Sequence, residues 1–512
     1  MSVDGTNATL MPGVLAVYSG ADVLADDLGA MPINTALRNA AGKPMSAPPY
    51  YILATDEARF VGQAVAVVIA ETRVQAEDAA EQVIVEYEEL PAFTTIEAAT
   101  AEGAHLLWAD APGNVAAQTQ FGKPDECDAA FAKAAHVSRI RFHNQRLVPV
   151  SMETRGSIGQ FDPATGRYTL HTSCQNPAGL QKTLAEGVLK VPAADVRVLV
   201  GDVGGGFGMK TQLYAEDAVC VWAARKLGRP VHWRATRSEE FLAGNHGRDQ
   251  TDEAELALDA DGKILGLRVR CVGNIGAYAC GPGAVIVVAV GPKVVAGVYH
   301  VPALDLRGVA VMTNTNIVGA YRGAGRPEAI YLIERLMDQA AAELKLDPAE
   351  LRRRNLIQPG AMPYTTPMGE KFDSGNFPHM LDRMLELADW NGYAQRRDAS
   401  RALGRLRGRA ISTFLEWTGV GHEETVRMEV TAERRVRVFT AMQAMGQGIE
   451  TSYVQIIAET LGVDPDTIDV VQGDSDVAQG IGSMGSRSLY IGGAALMAAP
   501  RGTSGKGRGK AR

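Results

Sequence analysis

Near the N-terminus, the pattern of hydrophobic and polar positions changes between the period of a strand and that of a helix. Residues 61–87, VGQAVAVVIAETRVQAEDAAEQVIVEY, predict a strand, a short amphipathic helix and a second strand, with Glu71 and Thr72 at the turn into the helix. The segment HLLWADAPGN follows, and its Pro-Gly pair is typical of a crossover. We therefore predict a compact α/β domain over residues 1–120.

Strand-like and helix-like patterns also alternate beyond this domain. The segment GRYTLHTS has the period of a strand, whereas AIYLIERLMDQAAAELKL and DPAELRRRNLI are helix-like. In the last of these, Asp347 is expected to be the N-cap, Pro348 to occupy the first turn and Glu350 to complete a capping box. These caps are structural features, and the pattern predicts further mixed α/β structure.

An internal repeat gives the strongest information on organisation. The two copies are YTLHTSCQNPAGLQKTLAEGVLKVPAADVRVLVGD and VRVFTAMQAMGQGIETSYVQIIAETLGVDPDTIDVVQGD. A gap-free alignment places Gln175 opposite Gln447 and Asp202 opposite Asp474, with an offset of 272 in both pairs (447 − 175 = 474 − 202). Each copy predicts a strand, a glutamine, a helix, a strand and a glycine-rich loop. Two related lobes commonly hold a ligand between them, although each glutamine could instead only cap its own helix.

Composition and charge narrow the classes of partner. The 512 residues carry a net charge of -8, which argues against nucleic-acid binding. The five cysteines form no C-x-x-C pair, and no H-x-x-x-H occurs, so a metal held by protein side chains is not expected. No signal peptide is visible, and Pro292 and Lys293 interrupt the most apolar run. We expect a soluble, cytoplasmic protein with no membrane partner.

Three glycine-rich segments are candidates for ligand contact. In VGDVGGGFGMK, Met209 separates Gly208 from Lys210, so the segment is neither a P-loop nor a Rossmann fingerprint. The segment GIGSMGSRS contains a formal G-x-G-x-x-G but lacks the acidic residue expected about 20 positions later, which leaves a nicotinamide-linked dehydrogenase as a weak alternative. In GAYRGAGRPEA, one of Arg322 and Arg326 could face an anion while the other pairs with an acid such as Glu328, or both could belong to a charged helix start.

Taken together, these segments resemble the large, molybdenum-binding subunits of the xanthine oxidase family, which includes aldehyde oxidoreductases and aerobic CO dehydrogenases. The matching motifs are QNP, GGGFG, AYRGAGRPEA, MGQG and GSMGSRS, in family order between about Pro12 and Ala498. The resemblance implies an α+β chain with an N-terminal α/β hammerhead-type domain over residues 1–120. Two related molybdopterin-binding α/β lobes would follow over 121–365 and 366–498, the second of them incomplete, with a disordered basic tail over 499–512.

The resemblance also implies a role for each motif. Gln175 would hydrogen-bond an oxygen ligand of molybdenum, Phe207 would present its backbone beside the metal, and Arg322 would lie nearby. The metal would have no direct protein ligand, and the glycines of GGGFG would let the backbone approach it closely. The residues expected to contact the cofactor are Gln175, Gly205, Gly206, Phe207, Gly208, Arg322, Gly446, Gln447, Gly448, Met484, Gly485, Ser486 and Ser488.

Three positions depart from particular members of that family. Thr211 replaces a glutamate of the purine-oxidising enzymes, Gly323 replaces the copper-binding cysteine of CO dehydrogenases, and Ala324 replaces a substrate-stacking aromatic residue. These substrate-pocket residues disfavour purines and CO. Aldehydes and other N-heterocycles are the expected substrates.

The implied reaction is hydroxylation with oxygen from water on a molybdenum–molybdopterin cofactor, in its cytosine dinucleotide form. The 2Fe-2S and FAD carriers would lie on an iron–sulfur small subunit and an FAD-binding medium subunit, in a dimer of heterotrimers. The family's general-base glutamate has no counterpart here, since the chain ends in PRGTSGKGRGKAR. The catalytic residue is therefore unassigned, and a truncated, inactive cofactor-binding fragment is the alternative.

Overall fold

The computed structural model of this chain describes residues 1–33, 37–419, 421 and 423–499. Of the predicted disordered tail, residues 500–512 lie outside the described residues.

The N-terminal domain is built on two small antiparallel sheets, β1–β4 and β2–β3. Its elements are β1 (Ser2–Asp4), α1 (Thr6–Thr9), β2 (Val14–Ser19), α2 (Gly20–Ala25), β3 (Ala66–Ala70), α3 (Arg73–Ala80), β4 (Ile84–Glu86) and α4 (Ile96–Ala99). The strand, helix and strand predicted within residues 61–87 are confirmed as β3, α3 and β4. Thr72 caps α3 in a reciprocal capping box with Gln75, because the threonine side chain satisfies an N–H group that has no partner inside the helix.

Lobe 1 contains a five-stranded and a four-stranded sheet. Its strands are β5 (Val115–Gly122), β6 (His136–Asn144), β7 (Gly156–Asp162), β8 (Arg167–Thr172), β9 (Val196–Leu199), β10 (Val231–Arg234), β11 (Gln250–Leu258), β12 (Ile264–Gly276) and β13 (Leu304–Met312). The strand orders are β5-β13-β12-β11-β6 and β10-β7-β8-β9. The predicted division after residue 120 falls inside β5, which pairs with β13.

The helices of lobe 1 cover these sheets with apolar faces. They are α5 (Pro124–Phe131), α6 (Pro177–Lys182), α7 (Ala215–Leu227), α8 (Arg237–Ala243), α9 (Gly283–Val285), α10 (Gly291–Lys293), α11 (Arg326–Leu344) and α12 (Pro348–Asn355). Helix α11 buries Leu332, Leu336 and Ala340 on one face, which is the spacing of a helix packed on a sheet. Asp347 caps α12 as predicted, whereas Glu350 pairs with the arginines of its own helix rather than completing a capping box.

Lobe 2 is smaller and has one three-stranded sheet, β16-β17-β18. The elements after α12 are β14 (Tyr364–Thr365), β15 (Lys371–Phe372), α13 (Phe377–Leu387), α14 (Tyr393–Ala402), β16 (Val426–Val430), β17 (Val436–Thr440), α15 (Ile449–Leu461) and β18 (Ile468–Val471). The core lies between the sheet and α15, where Val438, Tyr453 and Ile457 are fully buried.

The pairing of the strands corrects the alignment of the two repeats. In lobe 1, Tyr168 of β8 lies opposite Val196 of β9, and in lobe 2, Val436 of β17 lies opposite Ile468 of β18. The second strands differ by 272 positions (468 − 196), but the first strands differ by only 268 (436 − 168). The repeat therefore has a gap: lobe 2 carries four extra residues between its first strand and its helix.

The two lobes meet along a seam of backbone hydrogen bonds. The N–H of Val200 donates to the carbonyl of Gly473 at 2.7 Å, and the N–H of Ser475 donates to the carbonyl of Val198 at 3.1 Å. Arg197 also donates to both carboxylate oxygens of Asp474. Residues 473–475 thus continue the edge of the lobe 1 sheet beyond β9.

Candidate functional site

Gln175 follows β8 and connects the two lobes. Its side-chain Oε1 accepts a hydrogen bond from the N–H of Gly208 at 2.8 Å, and its Nε2 donates to the carbonyl of Ser483 in lobe 2 at 2.8 Å. The backbone of Gln175 also bonds to Lys210 and to Ser483. The side chain is 3% exposed. The glutamine does not cap its own helix, since Asn176 is the N-cap of α6.

The structural counterpart of Gln175 in lobe 2 is Gln443, not Gln447 as the gap-free alignment predicted. Gln443 stands at the offset of 268 set by the first strands, is also buried, and donates its Nε2 to the carbonyl of Gly201 in lobe 1 at 3.1 Å. Gln447 is exposed, and its side chain bonds to Met445 and Gln443 within its own turn. The two buried glutamines therefore reach across the seam in opposite directions.

Loop 1, residues 204–208, is crowded by protein atoms. A Cβ on Gly206 would lie 2.5 Å from Oε1 of Gln175 and 2.6 Å from the sulfur of Met445, and one on Gly208 would lie 2.7 Å from the carbonyl of Ala320. Gly205 and Gly208 also have positive φ angles. These glycines therefore let the chain itself pack closely here, and the expectation that they also let the backbone approach a metal centre stays a prediction.

Loop 2, residues 319–326, lies against loop 1. The N–H of Arg322 donates to the carbonyl of Phe207 at 2.9 Å, and its guanidinium lies 6.0 Å from the ring of Phe207. Arg322 is exposed and Phe207 is 42% exposed, so both present surface at the meeting point of the loops. The predicted pairing of Glu328 is corrected, because its partner is Arg248. Arg326 instead lies 3.6 Å from the carboxylate of Glu416, so the expected pairing with an acid is formed with a different acid. Arg326 also donates to the carbonyl of Trp417.

Loop 3, residues 480–488, reaches the same point from lobe 2. Ser483 binds Gln175 as described above, and Ser488 donates its hydroxyl to that of Ser483 at 2.9 Å. The Ser486 hydroxyl donates to Glu416, and the carbonyl of Gly485 accepts from the N–H of Gly419. Met484 and Gly485 are half-buried. Through Gln175, the structure therefore brings loops 1 and 3 together, with loop 2 alongside.

A cavity of about 890 Å³ adjoins these loops on the side of the N-terminal domain. Thr211 lines it, with Asn176, Gln212 and Asn245 among its polar neighbours. Gly323 and Ala324 do not line this cavity. The three predicted substrate-pocket positions are thus divided between the cavity and loop 2.

Sequence reasoning gave no role to Lys210 and Glu153. Lys210 is fully buried and donates to the Glu153 carboxylate at 2.8 Å, and Glu153 also accepts from the N–H of Gly204 at 2.7 Å. Burial lowers the pKa of Lys210, and Glu153 partly opposes this effect. Burial acts to raise the pKa of Glu153, yet the bonds from Lys210, Ser173 and Gly204 lower it overall. Lys210 could have been singled out from the sequence, since it ends the glycine-rich segment VGDVGGGFGMK.

The arrangement fits a cofactor that brings phosphate groups to the seam. Among the described residues, and apart from the adjoining residues of the chain, no heavy atom lies within 4 Å of a Cβ placed on Gly446 or on Gly448, and both glycines are exposed. Helix α15 begins directly after Gly448, and the first N–H groups of a helix have no partner inside it, which suits an anion. Arg322 adds an exposed positive charge beside Phe207. These residues could hold the phosphorylated pterin that the resemblance implies.

Two further observations concern only the part of the chain that the structure describes. Within it, no group of three or more His, Cys, Asp and Glu side chains is placed to hold a metal ion. Across those same residues, no helix combines the length and the apolar character needed to cross a membrane.

Comparison with family descriptions matches almost the whole chain. Residues 107–356 and 383–506 each match a molybdopterin cofactor-binding domain. Residues 1–91 match the a/b hammerhead domain of aldehyde oxidase and xanthine dehydrogenase.

Individual relatives agree with these matches. The 6-hydroxypseudooxynicotine dehydrogenase complex subunit gamma of Paenarthrobacter nicotinovorans is 36% identical over 98% of this chain and 63% of its own length. The carbon monoxide dehydrogenase large chain of Hydrogenophaga pseudoflava is 34% identical over 98% of this chain and 64% of its own. Quinoline 2-oxidoreductase from Pseudomonas putida 86 superposes with a TM-score of 0.90 at 34% identity, covering 98% of this chain and 64% of that one. The chain spans less than two thirds of the length of each of these relatives.

Proposed function

We propose, since this chain belongs to the xanthine oxidase family of molybdenum hydroxylases, that it is the molybdopterin-binding part of an oxidoreductase that hydroxylates an N-heterocycle or an aldehyde. The observation that carries the proposal is the convergence at Gln175, where one buried amide binds loop 1 of lobe 1 and loop 3 of lobe 2.

Each loop has a defined part in this proposal. Gln175 keeps loops 1 and 3 in register, so that Phe207 and Arg322 present their exposed surfaces on one side of the seam. The open glycines before α15 and the N–H groups of that helix receive phosphate. The residues that would hold the cofactor are Gln175, Gly205, Gly206, Phe207, Gly208, Arg322, Gly446, Gln447, Gly448, Met484, Gly485, Ser486 and Ser488. When bound, the molybdenum cofactor, proposed to be the cytosine dinucleotide form, supplies two-electron chemistry with oxygen from water.

The substrate class follows from the cavity and from the relatives. Thr211 is a neutral residue at the cavity wall, and its hydroxyl donates to the carbonyl of Gly208. A purine would therefore lack a carboxylate partner there, which is worth about 1–3 kcal/mol for a hydrogen bond to a charged group. Relatives are named for nicotine, quinoline and nicotinate. An N-heterocycle is accordingly the preferred substrate, with an aldehyde second and CO disfavoured by Gly323.

Electron transfer beyond the cofactor requires other subunits. The relatives include a subunit gamma and several large chains or large subunits, names that belong to multi-subunit complexes. We propose an iron–sulfur small subunit and an FAD-binding medium subunit as partners, in a dimer of heterotrimers located in the cytoplasm.

The test combines metal analysis with turnover. The chain, produced together with its partner subunits, should contain about one molybdenum per chain and oxidise quinoline or nicotine with incorporation of oxygen from labelled water. Benzaldehyde, xanthine and CO serve as comparison substrates. Absence of molybdenum would contradict the proposal. Bound molybdenum without turnover of any substrate would favour the alternative of an inactive cofactor-binding fragment.

A further inference from the structure

The three glycine-rich loops share an unusual backbone feature. Each contains a residue with a side chain in the left-handed region: φ is 53° at Phe207 in loop 1, 28° at Ala324 in loop 2 and 58° at Ser486 in loop 3. Residues other than glycine seldom adopt this conformation, and they keep it only where the surrounding structure enforces it. Each loop must therefore be held by contacts outside itself.

Loop 3 is held by Glu424, which lies outside it, together with Arg487, which belongs to the loop itself. Both side chains are completely buried, and they form an ion pair. The Glu424 carboxylate accepts from the N–H of Ile481 at 3.3 Å, and the Arg487 guanidinium donates to the carbonyl of Gly482 at 3.1 Å. Arg487 also donates to the carbonyl of Glu423 at 2.6 Å. The pair thus binds one N–H and one carbonyl near the start of loop 3, those of Ile481 and Gly482.

Loop 2 has the same arrangement with Glu328 and Arg248. The Glu328 carboxylate accepts from the N–H of Gly325 at 2.8 Å. Arg248 pairs with Glu328 and donates to the carbonyls of Tyr321 at 2.7 Å and Arg322 at 3.0 Å. The guanidinium therefore binds two successive carbonyls of loop 2, those of Tyr321 and Arg322. The carboxylate binds the N–H of Gly325 near the end of the loop.

Loop 1 repeats the arrangement with Glu153 and Lys210. The Glu153 carboxylate accepts from the N–H of Gly204, and the Lys210 ammonium donates to the carboxylate and to the backbone carbonyl of Glu153 at 3.0 Å. In all three cases a carboxylate takes a loop N–H and a paired cation takes a backbone carbonyl. Two of the pairs stand at equivalent places of the repeat: Glu153 precedes β7 and Glu424 precedes β16, while Lys210 and Arg487 end the glycine-rich segments. Glu328–Arg248 lies outside the repeat, so its occurrence does not follow from the shared topology.

We propose that Glu153–Lys210, Glu328–Arg248 and Glu424–Arg487 are positioning residues, each fixing one loop in the conformation that receives the cofactor. Burying an ion pair costs desolvation energy that its attraction barely offsets, so such pairs are weak candidates for stability alone. The hydrogen bonds that the three carboxylates and the two arginines make to the loop backbones supply the reason for their presence, and Lys210 acts on loop 1 through Glu153. The identity of the ligand as a molybdenum cofactor rests on the proposed function. The claim that the three pairs hold the loops does not depend on it.

Loop 3 offers the sharpest test, by hydrogen exchange on the full chain with mass spectrometry. The Glu424→Gln variant keeps the shape of the side chain but removes its charge. We expect residues 480–488 to exchange about tenfold to hundredfold faster, because the N–H of Ile481 and the guanidinium of Arg487 then meet a neutral acceptor in place of a charged one. Exchange in the core strand β17 should stay unchanged.

The matched control is Asp469→Asn, which removes a surface ion pair with Arg435 in the same lobe, away from the loop. It should leave exchange in residues 480–488 unchanged. Molybdenum content, measured on both variants produced with the partner subunits, should fall at least about tenfold for Glu424→Gln and stay at the wild-type value for the control. If Glu424→Gln does not fold, Arg487→Lys replaces it, since lysine keeps the charge but lacks the planar fork.

Three outcomes would overturn the proposal: unchanged loop exchange, equally faster exchange in the loop and in β17, or a faster loop with unchanged molybdenum content. A wild-type chain without molybdenum would instead contradict the proposed function, while its loop exchange would still decide whether the pair holds the loop.

Discussion

Lobe 1 and lobe 2 place a buried glutamine at the same point of the same fold, but the two side chains differ in how fully they are bound. Gln175 uses both ends of its amide, whereas the Oε1 of Gln443 has no hydrogen-bond partner among the described residues. The four extra residues of lobe 2 follow Gln443 and form the open turn at Gly446 and Gly448. In lobe 1, Gln175 thus makes a fully hydrogen-bonded connection between the lobes. In lobe 2, the corresponding region leaves an open surface beside the seam.

The largest effect is expected from breaking the closed connection. Gln175→Ala should lower the free energy of unfolding by about 3 kcal/mol or more, because the N–H of Gly208 and the carbonyl of Ser483 lose a buried partner and a cavity remains. Gln447→Ala, at the exposed position of lobe 2, is the control and should cost less than about 1 kcal/mol. Urea titration measures both, and equal losses would contradict the difference drawn between the lobes.

Adding one methyl group should distinguish the crowded loop from the open turn. Gly206→Ala forces a Cβ against Gln175 and Met445, which we expect to cost about 2–3 kcal/mol. Gly446→Ala meets no neighbour and carries only the strain of a positive φ angle, about 1 kcal/mol. Thermal and urea unfolding of the two variants provide the comparison. A larger loss for Gly446→Ala would show that the turn is not open.

Two carboxyl groups, one in each lobe, should contribute to the pH dependence of stability with opposite sign. Burial raises the pKa of Asp252 in lobe 1 to about 7, while hydrogen bonding and pairing to Arg435 lower the pKa of Asp469 in lobe 2. A raised carboxyl pKa means that stability falls as pH rises from about 4 to about 7, and the penalty is complete above that range. For Asp469, the contribution is present at neutral pH and is lost as pH falls below its ordinary range.

The measurement is urea unfolding of Asp252→Asn at about pH 5 and about pH 8. The variant should gain about 1–3 kcal/mol more over the wild type at the higher pH, because only the wild type must then carry a buried charge. Asp78→Asn, at an exposed position, should show no such difference. A gain that is equal at both pH values would mean that Asp252 does not titrate in this range.

The smallest effect is expected at the incompletely bound glutamine. Gln443→Met removes the donor to Gly201 but also removes the buried Oε1 that lacks a partner, and these changes oppose each other. We expect a net change within about 1 kcal/mol by urea titration. A loss of unfolding free energy as large as that of Gln175→Ala would show that the two glutamines contribute equally to stability.

The fold was largely predictable because its signals are local. The strand–helix–strand unit with Thr72, the cap at Asp347 and the repeat of strand, glutamine and helix all follow from spacing along the chain. The family motifs also gave the order of a hammerhead-type domain and two lobes. Local spacing could not give the gap in the repeat, because matching the helix and the second strand hides the insertion. The pairing of Tyr168 with Val196 and of Val436 with Ile468 reveals it.

The candidate site was predictable in its motifs but not in its supports. Gln175, Phe207 and Arg322 stand in recognisable segments, whereas Glu153, Arg248 and Glu424 lie far from them in sequence and become neighbours only through folding. The expected pairing of Glu328 with Arg322 or Arg326 was wrong for this reason: both arginines are near in sequence, but Arg248 is near in space. The assignment of Gln447 as a cofactor contact stays a prediction.

The continuation of the lobe 1 sheet by residues 473–475 has a consequence for assembly. Hinged separation of the lobes would require the backbone hydrogen bonds of Val200 and Ser475 to break together. We therefore expect the two lobes to stay joined when a ligand binds. A large cofactor must either be present while the seam forms or enter sideways, past the glycines that precede α15. The hydrogen bonds at this sheet edge thus constrain when the cofactor can enter during maturation.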